Sequence, residues 1–258
     1  NSYEYDNVYN LQPTLEKITH ASGGIIETKY QYPHEKSNQY MIEKNMIGIP
    51  LQTTKSKIEG SVSKTISNTE AKYPVSQAEA NIVTSGFPLP KSIQNLDLQN
   101  PTINQTEVTY DLYDTKGNIL QYSEKGTKPT VIIWGYNQTQ PIAKIEGAIY
   151  NQISAYVSAI ITASDADNTQ GTDQSEQALI GALDLFRNNP ALSGYQITTY
   201  TYNPLIGVTS ITPPSGVREV YKYDSANRLE SVKDINGNLL KEYQYKYKSK
   251  NENENTSY

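Results

Sequence analysis

The chain has 258 residues, with 22 Lys plus Arg against 27 Asp plus Glu for a formal net charge of −5, and this mildly acidic balance without a basic stripe argues against nucleic acid as the main partner. It contains no cysteine, which removes disulfides, thiolate chemistry and Cys-ligated zinc, and no apolar run approaches the roughly 20 residues of a membrane span. Leu, Ile, Val and Phe supply 54 residues, close to the roughly 20% below which chains tend to be disordered, but 22 tyrosines add apolar area and predict a folded protein with a thin core.

The N-terminal stretch reads Tyr3-Glu-Tyr5-Asp6-Asn-Val-Tyr-Asn10-Leu11, then Gly24, then Tyr30-Gln-Tyr32. Tyr-x-Tyr alternation places aromatics on one face of an extended chain, and Asp, Asn and Gly supply turn positions. No signal peptide precedes this segment, and a chain that opens inside a patterned stretch reads as a piece of a longer protein. Residues 33–106 are rich in Ser, Thr, Asn and Lys, with Pro at 50, 74, 88, 90 and 101. Irregular strands and long loops are expected there, so that 1–106 forms a divergent β region. A clearer copy, Tyr113-Asp114-Thr-Lys-Gly117-Asn118-Ile119 leading to Trp134-Gly-Tyr136, defines a β-repeat over 107–146.

From 147 to 190 the texture changes. Ile149, Ile153, Tyr156, Val157, Ile160 and Ile161 fall at three- and four-residue steps, and Ala178, Leu179, Ala182, Leu183, Leu185 and Phe186 repeat the pattern, which predicts a helical hairpin. Asp173, Ser175 and Glu176 suit a helix start, and Asn188-Asn-Pro190 a stop. The stretch between the helices carries acids at positions one, three, nine and twelve, namely Asp165, Asp167, Asp173 and Glu176, in the spacing of a helix–loop–helix calcium site. Gly171 falls at the seventh position rather than the sixth, and Thr169 stands where Asp or Asn belongs; the solvated acidic linker is the preferred reading and no metal is assigned.

Two further copies follow directly in 191–247: Tyr202-Asn203-Pro-Leu-Ile-Gly207-Val208 with Gly216, and Tyr223-Asp224-Ser-Ala-Asn-Arg228-Leu229 with Gly237-Asn238, 21 residues apart. One copy is strand, tight turn, strand, and such a hairpin buries its Tyr face only against its neighbours. The fold expected is therefore mainly β, of antiparallel hairpins forming a continuous or spiralling sheet with one inserted helical hairpin. Residues 248–258 read as a polar disordered tail. Asp6, Asp114 and Asp224 recur at one repeat position, which points to side-chain capping of turns rather than to catalysis.

This tandem pattern, Tyr-Asp-x-x-Gly-(Asn/Arg)-Leu with Tyr-x-Tyr closing each unit, resembles the YD repeat of RHS-type proteins, long secreted or surface chains of bacteria. The stretches 107–150 and 198–247 are similar to a closing region of very large members. The resemblance implies a β shell or rod, export to the exterior of a Gram-negative cell, and a partner that is the rest of the parent chain or another surface or secretion protein. Some members enclose a toxin and cleave themselves at an Asp-Pro-x-Gly core; here Thr212-Pro213-Pro214-Ser215-Gly216 stands instead, and no Asp-Pro occurs anywhere.

No nucleophile elbow, phosphate loop, dinucleotide fingerprint or His-Glu-x-x-His is present, so no catalytic residue and no cofactor is assigned. His20 and His34 read as polar loop residues. Trp134 and Tyr136 are the candidate contact residues, for a glycan or a partner, since aromatic rings stack on sugars and the RHS family is associated with carbohydrate contact; cross-strand packing is the competing role of the tyrosines. The function expected is non-enzymatic: scaffold, shell wall or contact surface. The alternatives are a carbohydrate-binding surface module or the shell of an RHS toxin.

Overall fold

Alternating sequence becomes strands wherever turn residues punctuate it. The computed structural model describes residues 1–21, 23–98, 100 and 103–247; the tail expected at 248–258 lies outside the described residues. Among the described residues fifteen strands are hydrogen-bonded in strict chain order, and the expected mainly β fold of antiparallel hairpins with one helical hairpin is the observed one. The chain divides into two compact units, Asn1–Ile132 with Ile145–Ala155, and Ile133–Lys144 with Tyr156–Tyr258. Among the described residues no helix is long and apolar enough to cross a membrane.

The first unit holds β1 (Ser2–Glu4), β2 (Leu15–Thr19), β3 (Ile25–Gln31), β4 (Gln52–Glu59), β5 (Val62–Lys72), β6 (Ser92–Leu96), β7 (Asn104–Tyr113) and β8 (Ile119–Glu124). Residues 33–106 are more regular than expected. A long hairpin pairs β4 with β5 around Gly60 at φ +60°, and the loops on either side of it carry α1 (Gln39–Glu43) and α2 (Gln77–Val83). Both faces of this hairpin are polar, with Lys57 directly opposite Lys64, so the apolar alternation that advertises a strand is missing. Pro50, Pro74, Pro88 and Pro90 all lie outside strands, where their missing N–H disturbs no ladder. Tyr32, Tyr40, Met41, Leu51, Ala80 and Tyr113 form buried positions of this unit.

Strands β9 (Thr130–Gly135) and β10 (Gln140–Glu146) precede the helices. The apolar stripe at 149–161 does not make one helix. It is divided into α3 (Tyr150–Ile153), a tight turn at Ser154–Tyr156, and α4 (Ser158–Gln170). Ile153 is buried in the first unit and Ile160 in the second, so the two ends of the stripe serve different cores.

In the second unit α4 meets α5 (Asp173–Arg187) across only Gly171 and Thr172, with Gly171 at φ +59° closing α4 and Thr172 capping α5 by accepting from the Ser175 N–H. Leu179, Leu183 and Phe186 of α5 are buried, and the helix packs on β11 (Gln196–Asn203). At the end of α5, Arg187 donates to the carbonyls of Ile197, Thr212 (3.0 Å) and Pro213 (2.6 Å). Strands β12 (Gly207–Thr212), β13 (Glu219–Tyr223), β14 (Leu229–Asp234) and β15 (Leu239–Glu242) complete the meander.

Two side-chain devices recur. In the first, an Asp carboxylate closes a tight turn. Asp114 accepts from the N–H groups of Lys116 and Asn118, both at 2.8 Å, and Asp224 accepts from those of Ala226 (2.9 Å) and Arg228 (3.0 Å). Asp234 does the same with Asn236 (2.8 Å) and Asn238 (2.9 Å). Residues 117, 227 and 237 take the left-handed conformation each turn requires. Asp6 departs from the expectation: its N–H donates to Thr14 Oγ1, and the neighbouring Asn7 caps the turn by accepting from Tyr9 and Asn10. In the second device a tyrosine hydroxyl donates to a carbonyl of an earlier segment: Tyr32 to Pro13, Tyr113 to Pro90, Tyr202 to Pro141, Tyr223 to Val208 and Tyr245 to Leu229, at 2.7–2.9 Å. The tyrosines thus supply both the packing surface and a hydrogen bond to the backbone of an earlier segment.

The first device makes stability depend on acid. The Arg228 side chain, then its N–H, hold the Asp224 carboxyl below its ordinary value, and the Asn238 side chain and N–H do the same for Asp234. A lowered folded pKa contributes stability that is complete above the unfolded value of about 3.9 and disappears as pH falls through the folded values. The double variant Asp224→Asn, Asp234→Asn is expected to lose less stability than the parent between neutral pH and pH ~3, read as urea midpoints at each pH. Parallel profiles for the two proteins contradict this role.

Candidate functional site

The second unit contains the most elaborated polar cluster, built around the β9–β10 turn. Gly135 ends β9, and Tyr136, Asn137 and Gln138 then take positive φ of 51°, 57° and 63°. A left-handed non-glycine residue costs about 1–2 kcal/mol, and three in succession persist only where the surroundings hold them. Helix α4 does so with three side chains. Ser164 Oγ accepts from the Tyr136 N–H at 3.2 Å, Asp165 Oδ1 from the Asn137 N–H at 2.7 Å, and Asp167 Oδ2 from the Tyr136 hydroxyl at 3.0 Å. The Tyr136 oxygen in turn accepts from the Tyr202 N–H at 2.9 Å, and the two rings meet edge to face at 5.6 Å.

Asp167 is 5% exposed, and each of its oxygens has a hydroxyl donor, the second being Ser175 Oγ at 2.6 Å. Glu176 accepts through Oε1 from Thr201 Oγ1 at 3.0 Å and from Thr209 Oγ1. Burial pushes the Tyr136 phenol far above its ordinary value; the Tyr202 N–H works against this and the Asp167 charge adds to it. Burial raises Tyr202 likewise. Both phenols are neutral donors at physiological pH, and the cluster orders the turn. Among the described residues no buried side-chain nitrogen or oxygen lacks a partner.

Beside this cluster lies an open cleft of about 630 Å³, bordered by the α4–α5 turn, the 203–206 loop, β12 and β13. Asp173 and Glu176 line it from α5, and Tyr202, Tyr221 and Tyr223 supply rings. The hydroxyls of these tyrosines are already engaged with Pro141, Glu219 and Val208, so the rings have no free phenol to offer. Burial and the bond to Glu219 push the Tyr221 phenol up to about 12.

The residues singled out from sequence fall as follows. The twelve-residue acidic loop is absent, because α4 runs through Gln170 and contains Asp165 and Asp167, while α5 begins at Asp173 and contains Glu176. Asp165 and Asp167 hold the β9–β10 turn, Glu176 binds two threonines, and Asp173 is exposed at the first turn of α5. Among the described residues no group of three or more His, Asp or Glu is placed to hold a metal ion. Tyr136, taken as a contact residue for a glycan, is 1% exposed, since its ring and hydroxyl both turn into the unit. Trp134 is half-buried on β9. His20 is exposed, and His34 stacks on Tyr9 with ring centroids 3.8 Å apart. The three left-handed residues at 136–138 include neither Gly nor a run of Asn, so no turn signal marked them.

No family model and no curated protein matches the sequence. Among solved structures, similarity is found to "TcdB2-TccC3 without hypervariable C-terminal region", at 12% identity and a TM-score of 0.37, covering 88% of this chain and 12% of that one. The complex titled "TcdB2-TccC3-Cdc42" gives 14% identity and a TM-score of 0.38 over the same shares of the two chains. "TcdB2-TccC3" itself gives 12% and 0.37, covering 91% of this chain and 13% of that one. The chain therefore spans about one eighth of the length of these structures.

Proposed function

We propose that this chain is a non-enzymatic structural and interaction segment of a larger secreted or cell-surface β-repeat protein of the RHS type, working as scaffold or wall by continuing its sheet into neighbouring strands. The observation that carries this reading is the pair of open edges. Strands follow chain order from β1 to β15, so among the described residues these two each have one unpaired side, and every residue of both is exposed. Exposed apolar residues cluster at both ends: Tyr3, Tyr5 and Tyr9 beside β1, and Leu239, Leu240 and Tyr243 on and beside β15. An edge that displays unpaired N–H and C=O groups together with apolar side chains is a template for further strands. A non-catalytic role agrees with the polar cluster, whose buried carboxylate already has both oxygens bound by hydroxyls.

The test is native mass spectrometry on the protein isolated from its source without refolding. The expected result is a polypeptide or complex much heavier than the 28.9 kDa of this sequence. A lone, stable 28.9 kDa species overturns the reading and favours an autonomous module.

A further inference from the structure

We propose that the cleft of the second unit binds an arginine side chain presented by another polypeptide. Tyr223 donates to the carbonyl of Val208, and Tyr245 donates to that of Leu229, 21 residues further on. The two tyrosines thus make the same kind of bond to β12 and β14. In the later repeat the residue before Leu229 is Arg228. Its guanidinium lies 4.6 Å from the centre of the Tyr245 ring, donates through Nε to Asp224 at 2.8 Å, and approaches the same carboxylate through Nη2 at 2.6 Å. In the earlier repeat the residue before Val208 is Gly207, at φ +150°, where an added Cβ would fall 2.8 Å from the Tyr223 hydroxyl oxygen. That repeat has no arginine at this position.

The cleft beside Tyr223 nevertheless keeps surroundings suited to one. The Tyr202, Tyr221 and Tyr223 hydroxyls are committed elsewhere, so their rings meet a ligand through carbon. Glu176 has one oxygen bound by threonines and the other without a partner among the described residues, and the exposed Asp173 carboxylate likewise has none. Lys222, also exposed on the rim, is the counterweight. Two carboxylates against one ammonium favour a cation over an anion. A planar guanidinium both stacks on tyrosine and pairs with carboxylates, as Arg228 does in the neighbouring repeat. The volume, about 630 Å³, accommodates a side chain with flanking peptide. The inference does not depend on whether the sheet edges are continued by other strands.

The experiment is an NMR titration of the full chain with N-acetyl-L-arginine methylamide, with the citrulline analogue as the neutral isostere and glucose as a neutral polyol. Saturable shifts are expected at amides of 171–176, 203–207 and 221–223 with the arginine probe, with a Kd of about 1–10 mM. Neither neutral probe is expected to give them. Asp173→Asn is expected to weaken binding about threefold and Lys222→Ala to tighten it about twofold; both residues are exposed, and unchanged spectra elsewhere report an intact fold. The proposal is overturned by no saturable shift at ~50 mM arginine probe, by equal binding of citrulline, by shifts confined to other residues, or by glucose occupying the cleft instead.

Discussion

Alanine in place of Gly135 is expected to destabilise the protein by about 3 kcal/mol or more, at the upper end of what overpacking costs. A Cβ at this position would stand 2.1 Å from Ser164 Oγ, 2.8 Å from Ser164 Cβ and 2.8 Å from Ile142 Cγ2. None of these neighbours has room to retreat: Ser164 and Ile142 are each 0% exposed. Ser164 Oγ is moreover fixed between the Tyr136 N–H it accepts from and the Ile161 carbonyl it donates to. For a chain of this length such a loss lowers Tm by about 6–12 °C. The cause is tested with a double-mutant cycle by urea unfolding. Ser164→Gly alone is expected to cost about 1 kcal/mol or more, from helix propensity and the lost hydrogen bond. Combined with Gly135→Ala it is expected to remove the two Ser164 contacts and leave only that with Ile142 Cγ2, so that the pair is less damaging than the sum of the two. Strict additivity would show that Gly135 matters for another reason.

Asp167→Ala is expected to cost about 3–4 kcal/mol, since it leaves two buried hydroxyl donors facing a cavity and releases the turn they hold. Tyr136 keeps the Tyr202 N–H as donor but loses its own acceptor, while Ser175 falls back on the Thr172 carbonyl at 2.8 Å. Asp167→Asn is expected to cost less, because its amide oxygen still accepts one hydroxyl although its NH2 faces the other. Urea midpoints for the two variants check the order. Equal effects of Ala and Asn would mean that the charge matters and the geometry does not. The three left-handed residues at 136–138 make this position more sensitive than an ordinary buried hydrogen bond, because backbone strain adds to the lost contacts.

The repeats were readable because their turns use chemistry that a sequence displays: Asp114 and Asp224 cap, and a left-handed Gly or Asn stands three residues on. Helix α5 was readable too, with Leu179, Leu183 and Phe186 on one face. What stayed hidden is held by polar contacts. Helix α4 carries few apolar residues, and its Asp165 and Asp167 read as part of a solvated or cation-binding loop, whereas together with Ser164 they bind a strained turn distant in sequence. The β4–β5 hairpin has polar residues on both faces, so only its pairing reveals it. Tyr136 was a candidate contact residue because aromatic rings stack on sugars, yet the left-handed turn begins at this residue and its ring is buried. Asp6 shares the Tyr-x-Tyr-Asp context of Asp224 but lacks a Gly or Asn three residues later, where Tyr9 stands, and the capping passes to Asn7.

The measurement that bears most directly on the sheet-continuation account is amide hydrogen exchange at the two edge strands, compared between the chain prepared alone and the same residues in the protein isolated from its source. The account predicts that Ser2–Glu4 and Leu239–Glu242 exchange rapidly in the isolated chain, and that both become protected to the level of the inner strands β3 and β12 in the source material. Edge amides that exchange equally fast in both preparations would contradict it, and would leave the chain as a sheet that ends where its own strands end.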